Sequence, residues 1–136
     1  MNNIDKIFII HYTKLEARKA HMLQQMDKWF PEIEHQFVEE FDQEDLSDEI
    51  INKNFDLDVF EKKFDREMLK SEMSLCMKYK KVINYIAESE TDGNFFVLED
   101  DVIFKEDPLS YTKRMVLFCN ANKIDFDCIY LMQNNE

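Results

Sequence analysis

FFVLEDDVIF, residues 95–104, joins four apolar residues to three consecutive acids and then to a second short apolar run. An unbroken run such as Phe95 to Leu98 is the pattern of a strand buried on both faces of a parallel sheet. In open α/β sheets ligands sit just beyond the carboxyl ends of the strands, which puts Glu99, Asp100 and Asp101 at a binding crevice. Three adjacent carboxylates repel one another, so at least one pKa should rise unless a cation or donor groups offset the charge. A hard divalent ion, Mg²⁺ or Mn²⁺, shared with a substrate phosphate would meet that need. A solvated acidic turn is the plainer alternative.

Outward from this stretch the chain alternates between strand and helix patterns. Lys6 to Ile10 (KIFII) reads as a short buried strand. Thr13 and Glu16 have the spacing of a capping box for a helix that runs to about Trp29 and stops at Pro31. His35 to Phe41 is a second, weaker strand, and a short helix is expected after Ser47 in the acidic text of residues 43–64. A long helix from about Arg66 to Glu88 carries two adjoining apolar stripes. One holds Leu69, Met73, Cys76, Ile83 and Ala87; the other holds Leu75, Tyr79, Val82 and Ile86. After a loop with Gly93 comes the opening strand. Asp107 and Pro108 then start a helix to about Asn120, and Phe126 to Met132 (FDCIYLM) reads as a last buried strand.

This alternation predicts an α/β fold, a mostly parallel sheet flanked by helices. Ile7 to Ile10, Phe96 to Leu98 and Cys128 to Leu131 are expected as buried neighbours. The last strand lies four residues from the end, so the domain is expected to be incomplete at its C-terminus. Uncovered apolar surface there should favour self-association or a downstream partner segment.

At 136 residues, with 45% hydrophobic content, 12 Phe and 8 Met, the chain suits one domain over 1–136 with a single core. A net charge of −12 argues against nucleic acid as a partner. No run is long enough for a transmembrane segment, and no signal peptide is visible. Cys76, Cys119 and Cys128 are scattered and read as core residues of a reduced, cytoplasmic protein. Gly93 is the only glycine, which excludes both a P-loop and a dinucleotide-binding fingerprint.

Three stretches together resemble glycosyltransferase family 25, the lipopolysaccharide and collagen-type glycosyltransferases. KIFIIHYTKLEARKAHM resembles the family's opening strand and its Asn-Leu-x-Arg-Ser-x-x-Arg-like turn, with His11 at the Asn, Tyr12 at the Leu, Lys14 at the first Arg and Arg18 at the last. LKSEMSLCMKYKKVINYI resembles its Gly-Glu-Ile-x-x-x-x-Ser-His helix. Glu72 is kept there, Ser71 replaces Gly, and Lys78-Tyr79 stands at Ser-His. VLEDDVIF matches its Leu-Glu-Asp-Asp strand, and FDCIYL resembles the strand after it.

The resemblance implies a GT-A-like, Rossmann-like fold, of which this chain is the N-terminal, nucleotide-sugar-binding portion. It implies metal-assisted transfer of a sugar from a nucleotide-sugar, a UDP-sugar by preference, to a glycan or lipid-linked acceptor of lipopolysaccharide type. Asp101 is then the direct ligand of Mn²⁺ or Mg²⁺, Asp100 supports the metal or ribose, and Glu99 orients the nucleotide. Tyr12, Lys14, Arg18 and Glu72 fall on the donor side, with Lys14 and Arg18 facing phosphates; their plainer reading is solvated surface. Tyr79 reads as core. No catalytic base can be assigned. The alternative function is a truncated, non-catalytic remnant that binds nucleotide or serves as an interaction module. A phosphoryl-receiving signalling domain also carries an acidic pair at a strand end. Its phospho-accepting Asp would have to follow on a later strand, and FDCIYLM ends in Gln133 and Asn134.

Overall fold

The structure, a computed structural model, describes residues 4–89, 93–129 and 131. In chain order the elements are β1 (Ile4–Ile10), α1 (Glu16–Trp29), β2 (His35–Val38), α2 (Asp48–Asn54), α3 (Leu57–Phe64), α4 (Lys70–Glu88), β3 (Asn94–Glu99) and α5 (Pro108–Ala121). Residues 2–103 form one compact unit and residues 104–136 form another.

The first unit is built on a three-stranded parallel sheet, among the described residues, in the order β2-β1-β3. The fold is therefore α/β, as the strand–helix alternation predicts. Ile10 is level with Val38 on one side and Glu99 on the other, so all three carboxyl ends reach the same edge. The strand buried on both faces is β1. Ile7 and Ile9 have no exposed surface, while Phe8 and Ile10 join Val38 and Val82 in a cluster covered by Tyr79, Ile86, Phe95 and Val97. On the opposite face Phe96, paired in register with Ile7, meets the Phe30 ring edge-on at 5.8 Å. Phe95 to Leu98 are only half-buried, and among the described residues β3 is the outer strand of the sheet. A continuous apolar run thus marked membership of the sheet but not the central position in it. Gly93, just before β3, admits a close approach: a Cβ there would lie 3.0 Å from the Asp5 carboxylate and from the Phe95 ring.

The capping box expected at Thr13 does not form. Helix α1 starts from Leu15 without a side-chain cap, because the Thr13 hydroxyl is spent on Asp42. Ser47 does cap α2 as expected, its hydroxyl accepting from the Ile50 N–H. Helix α3 was not legible in the acidic text; it buries none of its residues. Helix α4 begins at Lys70, four residues later than expected, and its buried face is Met73, Ser74, Met77, Lys78 and Val82. Leu69 and Ile83, assigned to the first stripe, are each 60% exposed, and Cys76 is exposed as well. The apolar pattern was broader than the face that packs, and that face includes two polar side chains. Leu46, Ile51, Met73 and Met77 make a second cluster with Phe41, Ile50, Phe55 and Met68 around it.

In the second unit Asp107 caps α5 as expected, accepting from the Leu109 N–H and the Ser110 hydroxyl. Helix α5 leaves Leu117 and Phe118 more than half exposed. The last strand expected from Phe126 to Met132 is absent from the described residues of that run, and Cys128 and Leu131, expected to be buried, are exposed. An apolar run becomes a strand only where a neighbour completes its ladder, and among the described residues no ladder includes this run. Tyr130 and Met132 lie outside the described residues.

Candidate functional site

The loops that follow β1, β2 and β3 meet at the carboxyl edge of the sheet. β1 lies in the middle, so its loop, His11-Tyr12-Thr13, runs between an aspartate after β3 and another after β2. Asp100 follows β3 and is 6% exposed; Asp42 follows β2 and is 4% exposed.

Asp100 gathers three donors. Its Oδ1 accepts from Arg18 Nη1 at 2.9 Å, and its Oδ2 lies 2.8 Å from His11 Nδ1 and a long 3.5 Å from the Tyr12 N–H. Burial alone would push the Asp100 carboxyl up, but hydrogen bonds from Arg18, His11 and Tyr12, with the charge of Arg18, hold it below the usual carboxylate range. The expectation of a raised carboxylate at the acidic triplet is therefore corrected. Arg18 already supplies the offsetting cation. An ionised Asp100 only accepts, so His11 Nδ1 carries the proton in their bond. The other ring nitrogen, His11 Nε2, is a buried side-chain atom without a hydrogen-bond partner.

Asp101 differs from its neighbour. Its side chain is 58% exposed and meets Arg18 at 3.4 Å. Glu99, at the end of β3, accepts from the Tyr79 hydroxyl at 3.0 Å. Tyr79, read from the sequence as core, is indeed part of the cluster on Phe8 and Ile10, but its phenol reaches the site. Among the described residues no three His, Cys, Asp or Glu side chains converge as a metal-ligand group. The donor set suits a hard cation through Asp101 alone, completed by substrate oxygens and water, which is how Mg²⁺ and its like are commonly held. Asp100, with both oxygens engaged, serves Arg18 instead.

The other donor-side residues fall into two places. Tyr12 and Lys14 converge on Glu44, whose Oε1 accepts from the phenol at 2.5 Å and the ammonium at 2.6 Å. These bonds hold the Glu44 carboxyl down at about 2. Glu72 stands apart. It accepts a two-pronged contact from Arg66 at 2.6 and 2.8 Å and the Leu69 N–H at 2.9 Å, so it closes the start of α4. Arg66 and the Leu69 N–H bring its carboxyl to about 2.

Sequence reasoning missed Asp42, Lys78, Glu44 and the contact made by His11. Asp42 accepts at Oδ2 from the Thr13 N–H at 3.1 Å and the Thr13 hydroxyl at 2.5 Å, and at Oδ1 from Lys78 at 2.5 Å. Lys78 also donates to the His11 carbonyl. Its side chain is only 3% exposed. A lysine in the middle of an apolar helical face was the available signal, since such a charge is rarely buried without a partner.

The profile of glycosyltransferase family 25 (LPS biosynthesis protein) matches residues 4–135, nearly the whole chain. No curated protein and no solved structure matches it. Among the described residues no helix is long and apolar enough to cross a membrane. With a match that takes in both the central strand and the acidic triplet, the chain belongs to glycosyltransferase family 25, the family of glycosyl-transfer chemistry and lipopolysaccharide biosynthesis.

Proposed function

We propose that the carboxyl edge of β1 and β3 binds the diphosphate of a nucleotide-sugar, a UDP-sugar by preference, for transfer to a glycan or lipid-linked acceptor of lipopolysaccharide type. One observation carries this reading. Arg18 is fixed at one end by the buried Asp100 while its side chain stays 47% exposed. A guanidinium held in place from behind and open in front suits a phosphate, because its planar fork takes two oxygens at once. Lys14, 63% exposed and beside Tyr12, adds a second cation on the same loop. Exposed, unpaired thiols at Cys76 and Cys128 suit a reducing, cytoplasmic setting.

A divalent ion at Asp101 would supply Lewis-acid stabilisation of the leaving diphosphate. The chain's own residues bind and orient. Arg18 offsets phosphate charge, the Tyr12 phenol and Glu44 border the approach, and Tyr79 keeps Glu99 turned to the edge. Calorimetric titration with UDP and Mn²⁺, separately and together, tests the reading. Asp101→Asn should remove the manganese-dependent part of UDP binding, and Arg18→Met should weaken UDP about tenfold or more. Wild type and both variants binding alike, or none binding, would overturn it.

A further inference from the structure

We infer that Lys78 and Asp42 are positioning residues for the donor site: their buried pair sets the loop after β1 in the conformation that presents His11, the Tyr12 N–H and, a turn further on, Arg18 to Asp100. This rests on the donor reading above.

Apart from the contact between them, the hydrogen bonds of both side chains end on residues 11–13. Lys78 donates to the His11 carbonyl, and Asp42 accepts from the Thr13 N–H and hydroxyl. Two of the same three residues make the other set of bonds on the far side, from His11 Nδ1 and the Tyr12 N–H to Asp100. The loop is therefore stitched between two aspartates, one at the end of each flanking strand. Loosening one row of stitches frees the other.

A need for stability does not account for the pair. A buried ion pair adds little over two apolar side chains of similar volume, because desolvation of both charges offsets their attraction. What it supplies is direction, since an ammonium and a carboxylate fix several bonds in space at once. The backbone beside it points the same way. Phe41, immediately before Asp42, has φ 66, a left-handed conformation that a bulky residue rarely adopts. Such strain persists where the surroundings over-determine it, and the residue next in the chain is the one bonded to Thr13 and Lys78.

The double variant Lys78→Met with Asp42→Asn removes both charges and strands neither, so it should fold. Two readouts on the whole chain decide. The first is hydrogen exchange of backbone amides without ligand. The Tyr12 and Thr13 amides should lose protection in the double variant while those of β1 and β3 keep theirs. The second is UDP titration in the presence of Mn²⁺. The double variant should bind about tenfold more weakly or worse, as expected when a binding group is misplaced. Ile51→Val, a core change in the other cluster, should bind as wild type does.

If the double variant fails to fold, Thr13→Val takes its place. It removes one of the two bonds from the loop to Asp42 at an exposed position and should show the same two changes in smaller measure. Unchanged exchange at Tyr12 and Thr13 overturns the inference whatever UDP does. So does altered exchange with UDP affinity within about twofold of wild type, or an equal loss in Ile51→Val. Absence of UDP binding by wild type sinks the donor reading alone, and the exchange result then decides whether the pair orders the loop.

Discussion

Asp42 and Asp100 are two buried carboxylates at the same edge of one sheet, each bonded to the loop after β1 and each paired with a cation. The cations differ. Lys78, the partner of Asp42, is 3% exposed, whereas Arg18, the partner of Asp100, is 47% exposed. One pair is closed on all sides and can only hold the chain. The other is closed behind and open in front, and can hold the chain and meet a ligand. Similar residues at equivalent strand ends thus serve different ends, and the exposure of the cation separates them.

That contrast is broken most severely by removing the closed cation. Lys78→Met leaves Asp42 buried and uncompensated, and urea unfolding should show a loss of about 3–5 kcal/mol. Adding Asp42→Asn should restore most of it. Arg18→Met should cost far less, about 1 kcal/mol, because water reaches the open pair and already screens it. Equal losses from the two single variants would erase the distinction between a closed and an open site.

The acids of the open pair's strand end were legible in the sequence, the pairing of Asp100 with Arg18 was not, and the closed pair was not legible at all, for a physical reason. Glu99-Asp100-Asp101 follows an apolar run directly, so strand, strand end and acids could be read in one line. Arg18 entered through the family resemblance, with solvated surface as its plainer reading, and its bond to Asp100 exists only in the fold. Asp42 and Lys78 are 36 residues apart and meet only through the fold. Lys78 stood out only as the residue at the family's Ser-His position, and nothing in the sequence singled out Asp42. Thr13 misled for the same reason: its spacing to Glu16 signalled a cap, but a buried carboxylate across the loop competes better for its hydroxyl. The central strand β1 and helices α2 and α5 were legible because their patterns are local. The supposed last strand was not, since an apolar run carries no information about whether a partner strand is present.

Acid should sharpen the contrast by a smaller amount. Burial alone would raise both aspartates, yet donors hold both below the usual carboxylate range in the folded state. A depressed folded pKa contributes stability that is fully present above the unfolded value and lost as pH falls through the folded one. Urea midpoints should therefore start to fall near pH 5, where the unfolded carboxylates begin to take up protons, and keep falling below it. In Asp42→Asn the decline below pH 4 should be shallower than in wild type. A wild-type midpoint that rises between pH 4 and pH 3 would have the wrong sign for both groups.

The most direct test of the central claim is to map UDP onto the chain by amide chemical shifts in the presence of Mg²⁺. Saturable shifts are expected to concentrate in residues 12–18 and 99–103 and to be absent in Arg18→Met. A depression of about 500 Å³ lined by Met26, Phe30, Pro31, Ile33 and His35 lies at the other end of β2, where the strand begins. Shifts centred on that depression, or no saturable shifts at all, would contradict the assignment of the donor site to the carboxyl edge.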